Sequence, residues 1–191
     1  RMQALLRFVE NGGGLILLGG EESFGRGGYA DTPLAPLFPW AIRADEPEMR
    51  RGSFPVAIPA QAIASPAVAG LDELLAGERD AAVESLNIPG SPRPAAAPLM
   101  NAAVGPLLVP FAAAQPYGKG RTLGLGSNTL WKWARKSQRL SDAYARFVRQ
   151  AVRYVAGEAE GGRLLAVRWD REHYRPGEQA LLSINVAGRE T

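Results

Sequence analysis

One short segment constrains the fold of this chain more than any other: four apolar residues, Leu15 to Leu18, stand between two glycine-rich stretches. Three consecutive glycines, starting at Gly12, precede them, and Gly19 and Gly20 follow. Glycine readily adopts the left-handed conformation at which helices end, so the first stretch predicts a helix stop. A short, wholly apolar run is typical of a strand buried on both faces of a parallel sheet. We therefore expect a helix, this strand and then a glycine-rich loop at the strand's carboxyl end.

The residues before these glycines have the spacing of one helix face. Four apolar residues recur at the three- and four-residue intervals of an amphipathic helix: Met2, Leu5, Leu6 and Val9. Because this spacing is already under way at Arg1, we interpret the chain as an excerpt from a longer protein.

The composition excludes several classes of protein. With 191 residues, of which 46% are hydrophobic and 21% charged, the chain has an ordinary globular composition. It contains no cysteine, which excludes disulfides, zinc–thiolate sites and cysteine nucleophiles. The net charge of +3 is not concentrated in the basic stripe of a dedicated nucleic-acid binder. No apolar run approaches the ~20 residues that span a bilayer, so we expect this fragment itself to be soluble.

The middle of the chain has fewer patterns that indicate secondary structure. Short strands are expected around residues 41–43 and 56–58, and residues 65–86 carry a loosely helical, acidic pattern. We assign these acids to a solvated face rather than to a metal site, since they lack the spacing of a calcium loop. Four prolines between residues 89 and 98 predict an extended surface loop.

Later segments predict a hairpin and a long helix. Two apolar runs, 107–114 and 121–126, are joined through a glycine-containing turn, which is the pattern of a β-hairpin. Ser141 is the predicted N-cap of an amphipathic helix that runs to Ala156. The other face of this helix and the segment before it form the most basic part of the chain: Lys132, Arg135, Lys136, Arg139, Arg146, Arg149 and Arg153. We favour a solvated face over a site for an anionic partner or a membrane surface.

The composition changes after the long helix. Residues 157–162 are glycine, alanine and glutamate only, which predicts a linker. Beyond it, apolar residues alternate with polar ones around Val167 and again around Ile184, as in the strands of a β-sandwich. We therefore divide the chain into an α/β domain (1–156), a linker (157–162) and the first strands of an immunoglobulin-like β domain (163–191).

Several motifs of the first domain occur together in one known family. They are the glycine-flanked strand, Ser23-Phe24-Gly25, Gly27-Gly28-Tyr29, Thr32-Pro33-Leu34, Tyr117-Gly118-Lys119-Gly120-Arg121 and Thr129-Leu130-Trp131-Lys132-Trp133. In this combination, residues 1–156 resemble the class I glutamine amidotransferase-like domain of large bacterial membrane proteins, which often carry von Willebrand factor A-type modules. The resemblance implies an α/β, flavodoxin-like parallel sheet with helices on both faces. It also implies first strands that precede Arg1 and a membrane-anchored parent protein in the bacterial cell envelope.

The chain departs from active members of that family at the turn after the strand. Active class I amidotransferases place a cysteine nucleophile there, with a histidine as base. This chain has Glu21, Glu22 and Ser23 at the turn, and the serine lacks the glycine two residues earlier that a nucleophile elbow requires. The single histidine, His173, lies beyond the linker. Glu21 and Ser23 are the catalytic candidates, and we favour a structural or ligand-contacting role for the carboxylates.

Two strand ends predict a ligand-binding crevice. The loops at the carboxyl ends of strands in α/β sheets form the crevice in which ligands bind. The loop after the first strand and residues 127–133 both follow predicted strands, so we expect them to meet. The candidate ligand-binding residues are Gly19, Gly20, Glu21, Glu22, Ser23, Asn128 and Trp131. No metal ligand set and no cofactor motif is predicted.

These observations lead to two alternative functions. The favoured one is a non-catalytic, amidotransferase-like binding or scaffolding module of a membrane-anchored envelope protein. Its expected partners are other domains or proteins of an envelope complex and a small-molecule ligand, whereas nucleic acid is not expected. The alternative is a hydrolase or amidotransferase-like enzyme that uses a non-cysteine site near Glu21 and Ser23.

Overall fold

The computed structural model describes residues 1–157 in full and the backbone of two later strands, 166–169 and 182–185. The chain divides into two compact units, residues 1–159 and 160–191. In the second unit, β7 (Ala166–Trp169) and β8 (Leu182–Asn185) form an antiparallel pair. Most of the predicted linker, His173 and the remainder of the predicted immunoglobulin-like segment lie outside the described residues.

The first unit combines three α-helices with six strands. The helices are α1 (Met2–Glu10), α2 (Leu71–Leu75) and α3 (Gln138–Val155). The strands are β1 (Gly14–Leu18), β2 (Arg50–Ala57), β3 (Ala82–Leu86), β4 (Ala97–Val104), β5 (Leu107–Tyr117) and β6 (Gly120–Leu125). Short 3₁₀ helices span Ala35–Leu37, Ala60–Ala62 and Leu130–Arg135.

The six strands form one mixed sheet in the order β1-β6-β5-β4-β2-β3. Only β1 and β6 pair in parallel, and every other neighbouring pair is antiparallel. The expected flavodoxin-like parallel sheet with helices on both faces is therefore wrong. The physical reason is that two unforeseen strands, β3 and β4, and the hairpin turns between β4, β5 and β6 reverse the chain direction without crossover helices.

β1 lies between two apolar layers. Leu15 and Leu17 pack in a cluster with Val9 of α1, whereas Ile16 packs against the larger core that α3 covers. One edge of β1 pairs with β6 in uninterrupted register, and no strand among the described residues pairs with its other edge. The predicted helix–strand order is confirmed, and β1 is an edge strand of the described sheet.

The loop after β1 is held by buried aromatic side chains. Phe24 is 1% exposed and packs edge-to-face on Phe38 and Trp40, with ring centroids 5.5 and 5.6 Å away. Its backbone has φ of 55°, a left-handed conformation that is uncommon for a bulky residue. The aromatic contacts therefore hold this loop in a fixed conformation that is strained at Phe24.

The β5–β6 hairpin is confirmed, with Gly118 and Lys119 between its strands. The long helix is also confirmed, but it begins one turn earlier than predicted. Ser137, not Ser141, is its N-cap, because the Ser137 hydroxyl accepts the backbone N–H of Leu140 at 3.1 Å.

The sheet curls so that the ends of distant strands meet. The backbone N–H of Asn87, just past β3, donates to Gly126 O at 2.8 Å, just past β6. Gly19, just past β1, donates to Leu125 O at 2.7 Å. The carboxyl ends of β1, β3 and β6 therefore lie together, although β1 and β3 stand at opposite ends of the strand order.

Candidate functional site

An open pocket of about 900 Å³ lies where these three strands end. Three of the predicted site residues line it: Glu21 after β1, and Asn128 and Trp131 after β6. Arg51 of β2 and Glu84 of β3 form further parts of the wall. The structure thus brings the two predicted loops to one pocket, and it adds residues from antiparallel strands that the sequence did not indicate.

Four predicted ligand-binding residues are absent from the lining of this pocket: Gly19, Gly20, Glu22 and Ser23. Glu22 lines a smaller adjoining pocket of about 230 Å³ with Glu21 and Arg26. Gly19 has a packing role, because a Cβ there would lie 2.5 Å from Asn87 Oδ1 and 2.7 Å from Ser127 N.

Ser23 stabilises the turn in which it lies. Its hydroxyl donates to Gly20 O at 2.9 Å, and the strained residue of the loop is its neighbour, Phe24. A nucleophile elbow would instead expose the serine oxygen at a strained position beside a base. The described structure therefore gives Ser23 the geometry of a turn residue.

Asn87 holds the glycine loop from the opposite edge of the sheet. Asn87 is buried, with 5% of the residue exposed. Its side chain accepts the Gly20 N–H through Oδ1 at 3.0 Å and donates through Nδ2 to Gly20 O at 2.9 Å. This two-point contact fixes the loop that carries Glu21. Asn87 was not predicted as a site residue, since its only local signal is a polar side chain directly after a strand.

A hydroxyl network places Asn128. The buried Ser85 hydroxyl of β3 donates to Asn128 Oδ1 at 2.6 Å. Thr129 Oγ1 accepts the backbone N–H groups of Glu84 and Ser85 at 2.8 and 3.1 Å. Because the amide oxygen of Asn128 is already engaged, its two N–H groups are the donors that a ligand in the pocket would meet.

Three ion pairs, formed by two carboxylates, border the pocket. Glu21 pairs with Arg51, and Glu84 pairs with Lys132 and, at 3.8 Å, with Lys136. The hydrogen bond from Lys132 lowers the pKa of Glu84 below its ordinary value; burial opposes this shift, and the charges of the two lysines assist it. Glu84 is thus an ionised partner of the lysines rather than a proton donor at neutral pH.

The two tryptophans after β6 have different roles. Trp131 is 45% exposed, and the Arg135 guanidinium lies 5.4 Å from its ring centroid. Trp133 is fully buried and donates through Nε1 to Ala82 O at 2.9 Å. Trp131 is therefore the aromatic side chain that a ligand in the pocket could contact. Trp133 instead anchors the segment after β6 to the first residue of β3.

Several cations of the predicted basic region are engaged within the fold. Arg146 Nη1 donates to Gly70 O at 3.3 Å, and Arg139 lies 3.8 Å from Glu78. These contacts tie α3 to the region around α2. Among the described residues, no group of three or more potential metal-ligating acids or histidines was found.

No protein-family model and no curated protein matches the chain. Among solved structures, it is similar to cytoplasmic protein STM3548 from Salmonella typhimurium, with a TM-score of 0.63 and 20% identity over 81% of this chain and 59% of that chain. It is also similar to cytoplasmic protein STM1381 from Salmonella typhimurium LT2, with a TM-score of 0.61 and 18% identity over 81% of this chain and 60% of that chain. The chain thus spans about three fifths of each, and the likeness concerns the fold.

The comparisons do not support the expected membrane association. Both similar structures are described as cytoplasmic proteins. Within residues 1–157 and the two later strands, no helix has the length and apolar character needed to cross a bilayer.

Proposed function

We propose that this chain is a non-catalytic binding module that takes a small polar ligand in the pocket at the ends of β1, β3 and β6. One observation carries the proposal: Glu21, Asn128 and Trp131, from loops about a hundred residues apart in sequence, line a single open pocket. The charged pairs, the amide N–H groups of Asn128 and the exposed indole of Trp131 are the few convergent polar groups typical of ligand sites.

The pocket walls are held in place before a ligand arrives. Asn87 fixes the loop of Glu21, and Ser85 fixes Asn128. Positions already fixed by hydrogen bonds lose little conformational freedom on binding, which favours affinity. This arrangement supports binding in a preformed site.

The absence of catalysis is part of the proposal. Ser23 is committed to its turn, and the carboxylate of Glu21 is paired with Arg51. A serine hydrolase would need a base within hydrogen-bond reach of the nucleophile. The family resemblance remains a proposal as well: an amidotransferase-like ancestry accounts for the glycine loop, and loss of the cysteine accounts for the use of the pocket in binding alone.

An NMR titration of the 191-residue protein tests this function. The probes are L-glutamine, D-glucose and succinate, followed through the Asn128 side-chain amide and the Trp131 indole N–H. We expect at least one probe to give saturable shifts confined to the pocket, and no release of ammonia from glutamine. Scattered or absent shifts with all three probes, or ammonia release that Ser23→Ala abolishes, would overturn the proposal.

A conservative substitution sharpens this test. Asn128→Asp keeps an oxygen that accepts the Ser85 hydroxyl, but it replaces the amide N–H donors with a second acceptor. We expect Asn128→Asp to reduce the affinity for the probe by at least about fivefold, since one hydrogen bond is worth about 0.5–1.5 kcal/mol. Asn11→Asp, at an exposed position after α1, is the control and should leave the affinity unchanged.

A further inference from the structure

An apolar groove of about 360 Å³ adjoins the polar pocket. Asn128 and Trp131 line both spaces, so they mark the boundary between them. Most of the other lining residues belong to β1, β6 and α3, and the apolar walls include Ile16, Leu18, Leu125, Val148 and Val152.

The groove exposes apolar side chains that ordinary folding would bury. Leu18 of β1 is 62% exposed and Val152 of α3 is 52% exposed, and both line the groove. Contiguous exposed apolar surface rimmed by polar groups marks binding sites in soluble domains. A volume of this size falls in the range of small-molecule sites.

The boundary carries an excess of positive charge. Lys132 and Lys136 share one carboxylate, Glu84, and the Arg135 guanidinium lies over the Trp131 ring. The amide N–H groups of Asn128 add donors at the same place. These groups match an anionic, hydrogen-bond-accepting head, whereas a cationic head would face like charges.

We propose that the two spaces together bind one amphiphilic ligand, a free carboxylate with an unbranched alkyl tail. The carboxylate lies beside Lys132 and Asn128, and the tail fills the groove between β1 and α3. This inference rests on the proposed function and names its ligand class. Continuity of the groove with the polar pocket selects this occupant over a second copy of the chain.

Isothermal titration of the 191-residue protein with three probes tests the ligand class. Octanoate carries both features, propionate has the head with a shorter tail, and octylammonium has the same tail length with a cationic head. We expect octanoate to bind at least about tenfold more tightly than either of the others, because tail burial and head charge both contribute.

Matched substitutions locate the site. Val152→Gln in the groove should weaken octanoate binding at least about fivefold by lost apolar burial. Leu107→Gln, at a position on β5 that is also more than half exposed, should leave octanoate binding unchanged. Lys132→Gln should reduce the preference for octanoate over octylammonium. Circular dichroism of each variant verifies that it is folded.

Three results would overturn the inference. The first is equal affinity for octanoate and octylammonium. The second is an equal loss of octanoate affinity in the Val152 and Leu107 variants. The third is no octanoate binding by a chain that light scattering shows to be dimeric. The polar probes described above keep the two proposals separate. If they bind at Asn128 while octanoate does not bind, the ligand class fails and the proposed function stands.

Discussion

The side-chain amide of Asn87 makes two hydrogen bonds with the backbone of Gly20, accepting its N–H at 3.0 Å and donating to its carbonyl at 2.9 Å. Gly20 follows β1 and Asn87 follows β3, the two outermost strands in the sheet order. One side chain thus joins the two ends of the curled sheet. The candidate pocket lies at this junction, so its shape depends on a residue that is not part of its lining.

Substituting Asn87 should destabilise the whole unit. Asn87→Ala removes two partly buried hydrogen bonds. It leaves the Gly20 N–H unpaired, which costs about 1–3 kcal/mol for such a group, whereas Gly20 O still accepts the Ser23 hydroxyl. Urea denaturation should show this loss, and Asn87→Asp should fall between Ala and the natural residue, because it keeps an acceptor for the Gly20 N–H. Asn11→Ala, at an exposed asparagine, is the control. Equal stability of Asn87→Ala and the natural protein would contradict the assigned role.

The two glycines after β1 should differ sharply in their tolerance of alanine. A Cβ at Gly19 would lie within 3 Å of Asn87 Oδ1 and of the backbone at Gly126 and Ser127, whereas a Cβ at Gly20 meets nothing within 4 Å. We expect Gly19→Ala to cost about 1–3 kcal/mol through overpacking, and Gly20→Ala to change stability by no more than about 0.5 kcal/mol. Thermal unfolding of the two variants measures this difference, and similar melting temperatures for both would refute the packing role of Gly19.

The elements that could be predicted from the sequence are those whose apolar patterns are local. The run around Ile16, the hairpin that ends at Leu125 and the face of α3 each show their apolar pattern within a few residues. β3 does not, because Glu84 and Ser85 interrupt its apolar residues and its acidic surroundings resemble a helix face. The backbone N–H groups of Glu84 and Ser85 donate to Thr129 Oγ1, a partner more than forty residues away that no local pattern reveals.

The same distinction explains which site residues were found. Glu21, Asn128 and Trp131 follow strands with clear patterns, so the rule that ligands bind at strand ends indicated them. Arg51 and Glu84 come from β2 and β3, whose antiparallel arrangement was not foreseen. Their presence at the pocket depends on the curl of the sheet, which is a tertiary property.

The ion pair of Glu84 with Lys132 should respond to pH in a defined direction. Hydrogen bonding to Lys132 lowers the pKa of Glu84, so the pair stabilises the native state above the unfolded-state pKa of the carboxyl. This contribution is lost as the pH falls through the lowered folded-state pKa. In Lys132→Gln, we expect the pKa of Glu84 to rise toward its ordinary value.

Carboxyl-carbon NMR as a function of pH measures this shift. Lys119→Gln removes a lysine from the β5–β6 turn, and it should leave the Glu84 titration unchanged. If the Lys132 and Lys119 variants titrate alike, the pair does not govern the ionisation of Glu84.

The open edge of β1 should appear in hydrogen exchange as an alternation along the strand. Gly19 N–H donates toward β6, and alternate residues of a strand direct their N–H groups to the same side. Leu15 and Leu17 therefore donate toward β6, whereas the N–H groups of Ile16 and Leu18 point to the edge on which no described strand pairs.

We expect the amides of Ile16 and Leu18 to exchange at least about tenfold faster than those of their neighbours, since exposed groups open most easily. Ala113 and Ala114 of β5, a strand paired on both sides, should both exchange slowly. Equal protection of all four β1 amides would show that a further strand covers this edge in solution, and light scattering would then show whether a second copy supplies it.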